Sequence, residues 1–346
     1  MRQAPGSPVI FGQFQGQAVH KVTLGRPSGL QAQIITWGGV LQNLTWPLGD
    51  GARLPLTLGF ETFDPYPVHS PYFGAIVGRY ANRIANGRFT LAGHTYQLDR
   101  NEALQTTLHG GAVGFASCIW QIADLTENSV TLTLTSPDGD QGFPGTLTAT
   151  CTYFITDENR LEVQFGAKTD QPTPVNLAQH AYFNLDGGLD ISDHSLQIFA
   201  DAYSPTGSDL IPTGVIQPVN GTVFDFRRRQ TLDPRQAAFD HNFVLSHPPS
   251  QADTLRPAAQ LVSHKSGMQM QVATTKPGLQ FYSGHMLNVP VPGHDGRAYG
   301  PSAGLCLETQ YFPDSPNQPS FPNTILYPDQ VYSHRTVFSF DCWVAT

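Results

Sequence analysis

Lysine is scarce in this chain: four of nineteen basic residues, set against twenty-seven acids, for a formal net charge of −8. That balance argues against the basic patch with which proteins hold nucleic acid or other polyanions. The one basic run, Arg227-Arg228-Arg229, follows the acid-bearing turn Phe224-Asp225-Phe226 and reads as a solvated loop rather than a phosphate site. Charge of either sign is thin, at 13% of residues where soluble domains average about 25%. Cysteine is sparse too. Cys118, Cys151, Cys306 and Cys342 lie far apart with no CxxC pair, which points to buried reduced thiols rather than a disulfide framework or a structural zinc site. No apolar run approaches the ~18 residues of a membrane span, and the opening "MRQAPGSPVIFGQF" has no apolar signal core. The expectation is a cytoplasmic protein with no membrane or nucleic-acid partner. Helical periodicity is nearly missing as well. One short helix is expected over Asp233–His241, with Asp233 as N-cap and Pro234 at the first position.

What is present is strand. "VTLTLT" (Val130–Thr135), "TLTATCTYFIT" (Thr146–Thr156) and "RLEVQFGAKT" (Arg160–Thr169) alternate β-branched or aromatic residues with polar ones. So do "MQMQVATT" (Met268–Thr275) and "TVFSFDCWVAT" (Thr336–Thr346), with turn clusters such as "SPDGDQGFPG" between strands. Hydrophobic residues make up 40%, with 21 Phe, which is ample for a large core. Length alone allows two domains, but no composition shift or fixed repeat divides the chain. The predicted fold is all-β, a large antiparallel β-sandwich spanning residues 1–346 as one domain.

Against this background certain polar residues stand out. In "GLCLETQ", alternation places Leu305, Leu307 and Thr309 on one face and Cys306, Glu308 and Gln310 on the other. A carboxylate in such a strand is costly to bury without a partner or a task. In "VNLAQHAYFNL", His180 shares a face with Asn176, Ala178 and Tyr182, opposite Leu177 and Phe183. A histidine held between apolar anchors suits acid–base work near neutrality, and also suits a hydrogen-bonded core role. "GRYANRIANGRF" carries Arg79, Asn82, Arg83 and Asn86, and reads on its own as a polar turn before a strand. "LHGG" sets His109 beside two glycines, "FDHNFVL" opens with Asp240, and "PGLQFYSGHML" sets Gln280 among aromatics. Aromatic faces with interspersed Asn, Gln, Asp and Arg are what polyhydroxylated ligands need: rings for C–H faces, polar groups for hydroxyls.

These segments, with "GTVFDF" and "LCLETQYFPDSPNQPSFPN", resemble the aldose 1-epimerase (galactose mutarotase) family, seven motifs in the same order from about Ile35 to the C-terminal strand. The resemblance implies a galactose mutarotase-like super-sandwich and a cofactor-free isomerase acting on a free hexose such as galactose or glucose. It implies Glu308 as the base on the C1 hydroxyl, His180 as the acid to the ring oxygen, and His109 as an assisting histidine. Asn82, Arg83, Asp240 and Gln280 match positions that hold sugar hydroxyls or orient these groups, with Arg79 rated lower. The departures are modest: Ala178, Gln179 and Ala181, then His285, Met286 and Tyr311, stand where the family more often has other residues. They bear on which sugar is preferred.

Ring opening removes the proton on O1 while one is delivered to O5, so the expected arrangement is a base and an acid on opposite sides of a pyranose. A metal set of His109, His180 and Glu308 is disfavoured, because no histidine pair has HxH or HxxxH spacing. Three rivals stay open: a hexose-6-phosphate 1-epimerase, a glycoside hydrolase using Asp240 and Glu308, and a non-catalytic carbohydrate-binding protein. The partner expected is a monosaccharide, and the assembly a monomer or homodimer.

Overall fold

Period-2 burial drives the architecture. Along Leu147–Ile155 buried residues alternate with more exposed ones, and Arg160–Thr169 repeats the pattern over its full length. A computed structural model of the chain describes residues 7–49, 51–103, 105–235, 238–246 and 254–342. Within it these two strands sit in a nine-stranded antiparallel sheet. Its order is Gln121–Leu125, Ser129–Ser136, Leu147–Ile155, Arg160–Thr169, Tyr332–Cys342, Met268–Thr274, Arg256–Ser263, His194–Ile198 and Gln230–Thr231. A six-stranded antiparallel sheet runs Tyr182–Phe183, Leu305–Gln310, Gly278–Tyr282, Asp240–Leu245, Ala200–Ser204 and Gln217–Pro218. A five-stranded sheet takes the chain from Val9 to Pro55 in sequence order.

One apolar cluster joins all three sheets: Leu24, Ile34 and Leu44 from the five-stranded sheet, Leu132, Cys151 and Val163 from the nine-stranded, Phe243, Phe281 and Leu307 from the six-stranded. A second cluster, with Phe60, Phe73, Tyr182 and Cys306, lies beside it. The all-β, antiparallel expectation therefore holds, and the predicted strands match within a few residues; Trp343 to Thr346 lie outside the described residues.

The helix expected over Asp233–His241 is not formed by its described part. Pro234 and Arg235 make a turn, Asp240 already begins a strand, and Gln236 and Ala237 lie outside the described residues. Pairing of Asp240–Leu245 with both its neighbours overrides the local capping signal. The α-helix among the described residues is the single turn Tyr66–His69. All four cysteines are free, but the expectation that they are buried holds only for Cys151 and Cys306. Cys342, on the last described residue of a strand, is exposed. No helix among the described residues is long and apolar enough to cross a membrane.

Candidate active site

The strand Leu305–Gln310 is paired on both sides, by Tyr182–Phe183 and by Gly278–Tyr282, and all six of its residues are buried. Leu305 and Leu307 enter the main core with Leu279 and Phe281. Its even positions face the other way. Register sets Glu308 opposite Gln280, and Gln280 opposite Asn242, so one face of the sheet carries a row of buried polar side chains. Five side-chain atoms in this row have no hydrogen-bond partner among the described residues: Glu308 Oε2, Gln280 Oε1, Asn242 Oδ1 and both amide atoms of Gln310.

His180 arrives from the strand Ala178–His180, which pairs with Ala75–Val77. Leu177, Ala181 and Phe183 anchor that segment in the core, and the ring is left on the polar side, 5% exposed. Its Nε2 lies 3.7 Å from Glu308 Oε1, and its Nδ1 lies 3.5 Å from Cys306 Sγ. Such a gap leaves no room for a pyranose between acid and base. The two groups stand side by side rather than on opposite sides of a ring, which is what O1 and O5, both bonded to C1, require.

His109 follows the strand Thr107–Leu108 in a left-handed conformation, φ 52°. Gly110 behind it must be glycine: a Cβ there would lie 2.0 Å from the Gly78 carbonyl oxygen, and its φ is +91°. The Asn82 amide N–H donates to His109 Nδ1 at 3.1 Å, so the neutral ring carries its proton on Nε2. The two histidine rings meet edge to face, 5.1 Å between centroids.

Arg83 forms a two-pronged ion pair with Glu102, at 2.7 and 2.8 Å, and reaches Asp240 at 3.4 Å. Gln280 Nε2 donates to Asp240 Oδ1 at 2.7 Å, which turns Gln280 Oε1 free. The seven residues singled out in the sequence thus form a closed circuit of contacts. It runs Glu308, His180, His109, Asn82, Arg83, Asp240, Gln280 and back to Glu308. Arg79 points elsewhere, into the turn after Ser136. The loop after the strand ties down Arg83's segment rather than Glu308: Asp314 accepts from the Ala85 N–H at 2.9 Å, and its own N–H donates to the Arg83 carbonyl.

The sequence does not single out four neighbours as site residues. Glu102 carries no motif. Cys306 and Tyr182 share faces with Glu308 and His180, a signal that alternation already contained. Tyr72 lies with its ring 4.6 Å from His109 and 5.7 Å from His180.

Burial sets the protonation of the pocket. Desolvation, with the negative charge of Asp240, raises the Glu308 carboxyl well above its ordinary range, opposed by Arg83. Desolvation lowers His180 to about 4, and lowers His109 well below the ordinary histidine value, helped there by His180 and Arg83. Burial thus favours the neutral form of each group, the protonated carboxyl of Glu308 and the unprotonated ring of His180. Ligand atoms of His109, His180 and Glu308 lie within 4.8 Å of one another, so the fold assembles a His₂Glu set that sequence spacing disfavoured.

A family model described as aldose 1-epimerase matches residues 20–339. The chain is 42% identical to a galactose mutarotase from Mus musculus over 340 residues, 96% of this chain and 97% of that protein. It is 39% identical to an aldose 1-epimerase from Escherichia coli (strain K12), over 94% of this chain and 96% of that one. Among solved structures, an aldose epimerase homologue from C. elegans superposes with a TM-score of 0.88 at 29% identity, covering 94% of this chain and all of the other. Antiparallel β in its fold and matched across almost its whole length, this chain belongs to the aldose 1-epimerase family of isomerases.

Proposed function

We propose that the chain interconverts the α and β anomers of a free aldohexose, galactose or glucose, with Glu308 and His180 as its acid–base pair. The observation that carries this reading is their placement: one carboxylate and one imidazole, both buried, 3.7 Å apart, with Glu308 Oε2 unpartnered. Ionised Glu308 takes the proton from O1 as protonated His180 gives one to O5. The C1–O5 bond breaks and leaves an open-chain aldehyde. Rotation about C1–C2 presents the other carbonyl face, and reclosure returns both protons. Nothing is consumed and no cofactor takes part.

The pair holds one proton throughout. After ring opening that proton sits on Glu308, which is the distribution burial favours. The pocket therefore stabilises the protonation state of the open-chain intermediate relative to an ion pair. His109, neutral and with its proton on Nε2, is a hydrogen-bond donor for the ring oxygen. Gln280 Oε1 is free to accept from a sugar hydroxyl, with Asp240 fixing its amide. Asn82 and Arg83 complete the frame.

A free sugar is favoured over a phosphorylated one because Arg83, the guanidinium in this circuit, is already held by Glu102 and Asp240. Arg227, paired with Asp225, lines with Arg228 a groove of about 720 Å³ that includes none of the seven residues, and Arg229 donates to Gln260. Polarimetry on freshly dissolved α-D-galactose and α-D-glucose tests the proposal, with a hexose-6-phosphate as the third arm. Equilibration no faster than buffer with every sugar would defeat it. Acceleration confined to the phosphorylated sugar would transfer the activity to that substrate. Binding without acceleration, retained in Glu308→Gln, would make the chain a carbohydrate-binding protein.

A further inference from the structure

Tyr72 adopts φ 66°, a left-handed conformation that a bulky side chain rarely takes. Such strain persists only where the surroundings enforce it, and it gathers at functional sites. Here the enforcing groups belong to the segment that bears His180. The Tyr182 hydroxyl donates to the Pro71 carbonyl at 3.1 Å. The Gly74 N–H donates to the His180 carbonyl at 2.9 Å, and Gln179 Nε2 donates to the Gly74 carbonyl at 3.1 Å. The turn is therefore tied on both sides to the strand of the proposed acid.

The side chain at that turn is half-buried at the edge of the pocket. Its ring meets His109 at 61° and lies at 34° to His180, so it closes the histidine side of the site. Its hydroxyl makes no hydrogen bond to any described residue, although burial lowers its access to water. The charges of Glu102 and Arg83 both act on its hydroxyl. If the turn needed only its backbone, glycine would adopt it without strain. If it needed only a ring against His109, the hydroxyl would be superfluous, and a partly desolvated hydroxyl without a partner is unfavourable.

We propose that Tyr72 is a sugar-contacting, specificity-determining residue: its hydroxyl hydrogen-bonds one hydroxyl of the bound aldose while its ring walls the pocket beside His109. The inference rests on the aldose 1-epimerase reading above. It adds a contact from outside the seven-residue circuit, held in place by the His180 strand.

The test is a cycle between Tyr72→Phe, which keeps the ring, and single deoxygenation of the sugar. With the preferred aldose, Tyr72→Phe is expected to lower kcat/KM about 3–10-fold, the scale of one neutral hydrogen bond. With the 2-, 3-, 4- and 6-deoxy analogues, the same substitution should cost nothing for one analogue and the full factor for the others. An equal loss with all four analogues would mean that Tyr72 only shapes the pocket, and no loss with any sugar would mean that it makes no contact. Both results overturn the proposal. The same cycle read as calorimetric affinity in a Glu308→Gln background separates this inference from the catalytic one. If the native chain fails to speed anomer exchange, coupling in binding still supports Tyr72, while additive or undetectable binding overturns it.

Discussion

Arg79 and Glu308 are both ionisable side chains buried to within 2–3% of full enclosure, yet their surroundings differ in kind. Arg79 has an acceptor for each direction of its guanidinium: Ser136 Oγ at 2.8 Å, the Ser136 and Pro137 carbonyls at 2.9 and 2.6 Å, and those of Pro144 and Gly145 at 3.1 and 2.7 Å. Glu308 faces His180 across 3.7 Å and leaves Oε2 unanswered, on a face where Gln280, Asn242 and Gln310 also carry unpartnered atoms. Folded chains pair almost all buried polar groups, because each orphan costs about 1–3 kcal/mol. A completed set is therefore structure. A clustered, incomplete set on one rigid sheet face is where a polyhydroxylated ligand can supply the missing partners.

Exchanging the two behaviours breaks the comparison most sharply at the acid–base pair. Glu308→Gln and His180→Asn are each expected to lower kcat by at least ~10²-fold, the lower scale for a positioned acid or base. Thermal unfolding of Glu308→Gln should show no loss of stability, since the substitution removes a buried carboxyl that had no full set of partners. Near-native turnover in either variant would mean that its role is assigned to the wrong residue. The opposite signature belongs to Arg79→Met. Five hydrogen bonds disappear and buried carbonyls are left unpaired, so denaturant unfolding should report a loss of about 2–4 kcal/mol. Turnover per folded molecule should stay close to native, and a large fall in kcat without a fall in stability would erase the distinction between the two regions.

The smallest effect is a displaced pH limb. The working pair holds one proton: it holds two when His180 is also protonated, and none above the raised Glu308 value. Because burial lowers His180 to about 4, the acid limb of kcat/KM should fall near there rather than near the ordinary histidine value. Between that limb and the raised Glu308 value the profile should be flat. An acid limb at an ordinary histidine value would show that the free site is better hydrated than its geometry implies.

The readings that held were local or ordered along the chain. Alternation placed Glu308 and His180 on polar faces, because successive strand residues point to opposite sides whatever the strand meets. The order of motifs identified the family, while the two arginines of "GRYANRI" diverge, Arg79 into a turn and Arg83 toward Glu102 and Asp240. The readings that failed depended on partners far away in the chain. The Asp233–His241 helix lost to strand pairing by Asp240–Leu245. Glu102 was invisible, because nothing near it in sequence announces that it will grip Arg83.

By itself the sequence determined the fold class, the faces of the strands and the family, and with the family the residues proposed for the site. Only the tertiary structure decided that His109, His180 and Glu308 converge within 4.8 Å, and that Glu308 and His180 stand side by side where burial raises the proton affinity of one and lowers that of the other. The physical reason is that side-chain direction follows from bonds between neighbouring residues. Distance between remote side chains, and the desolvation that sets their proton affinities, exist only once the whole chain has closed around them.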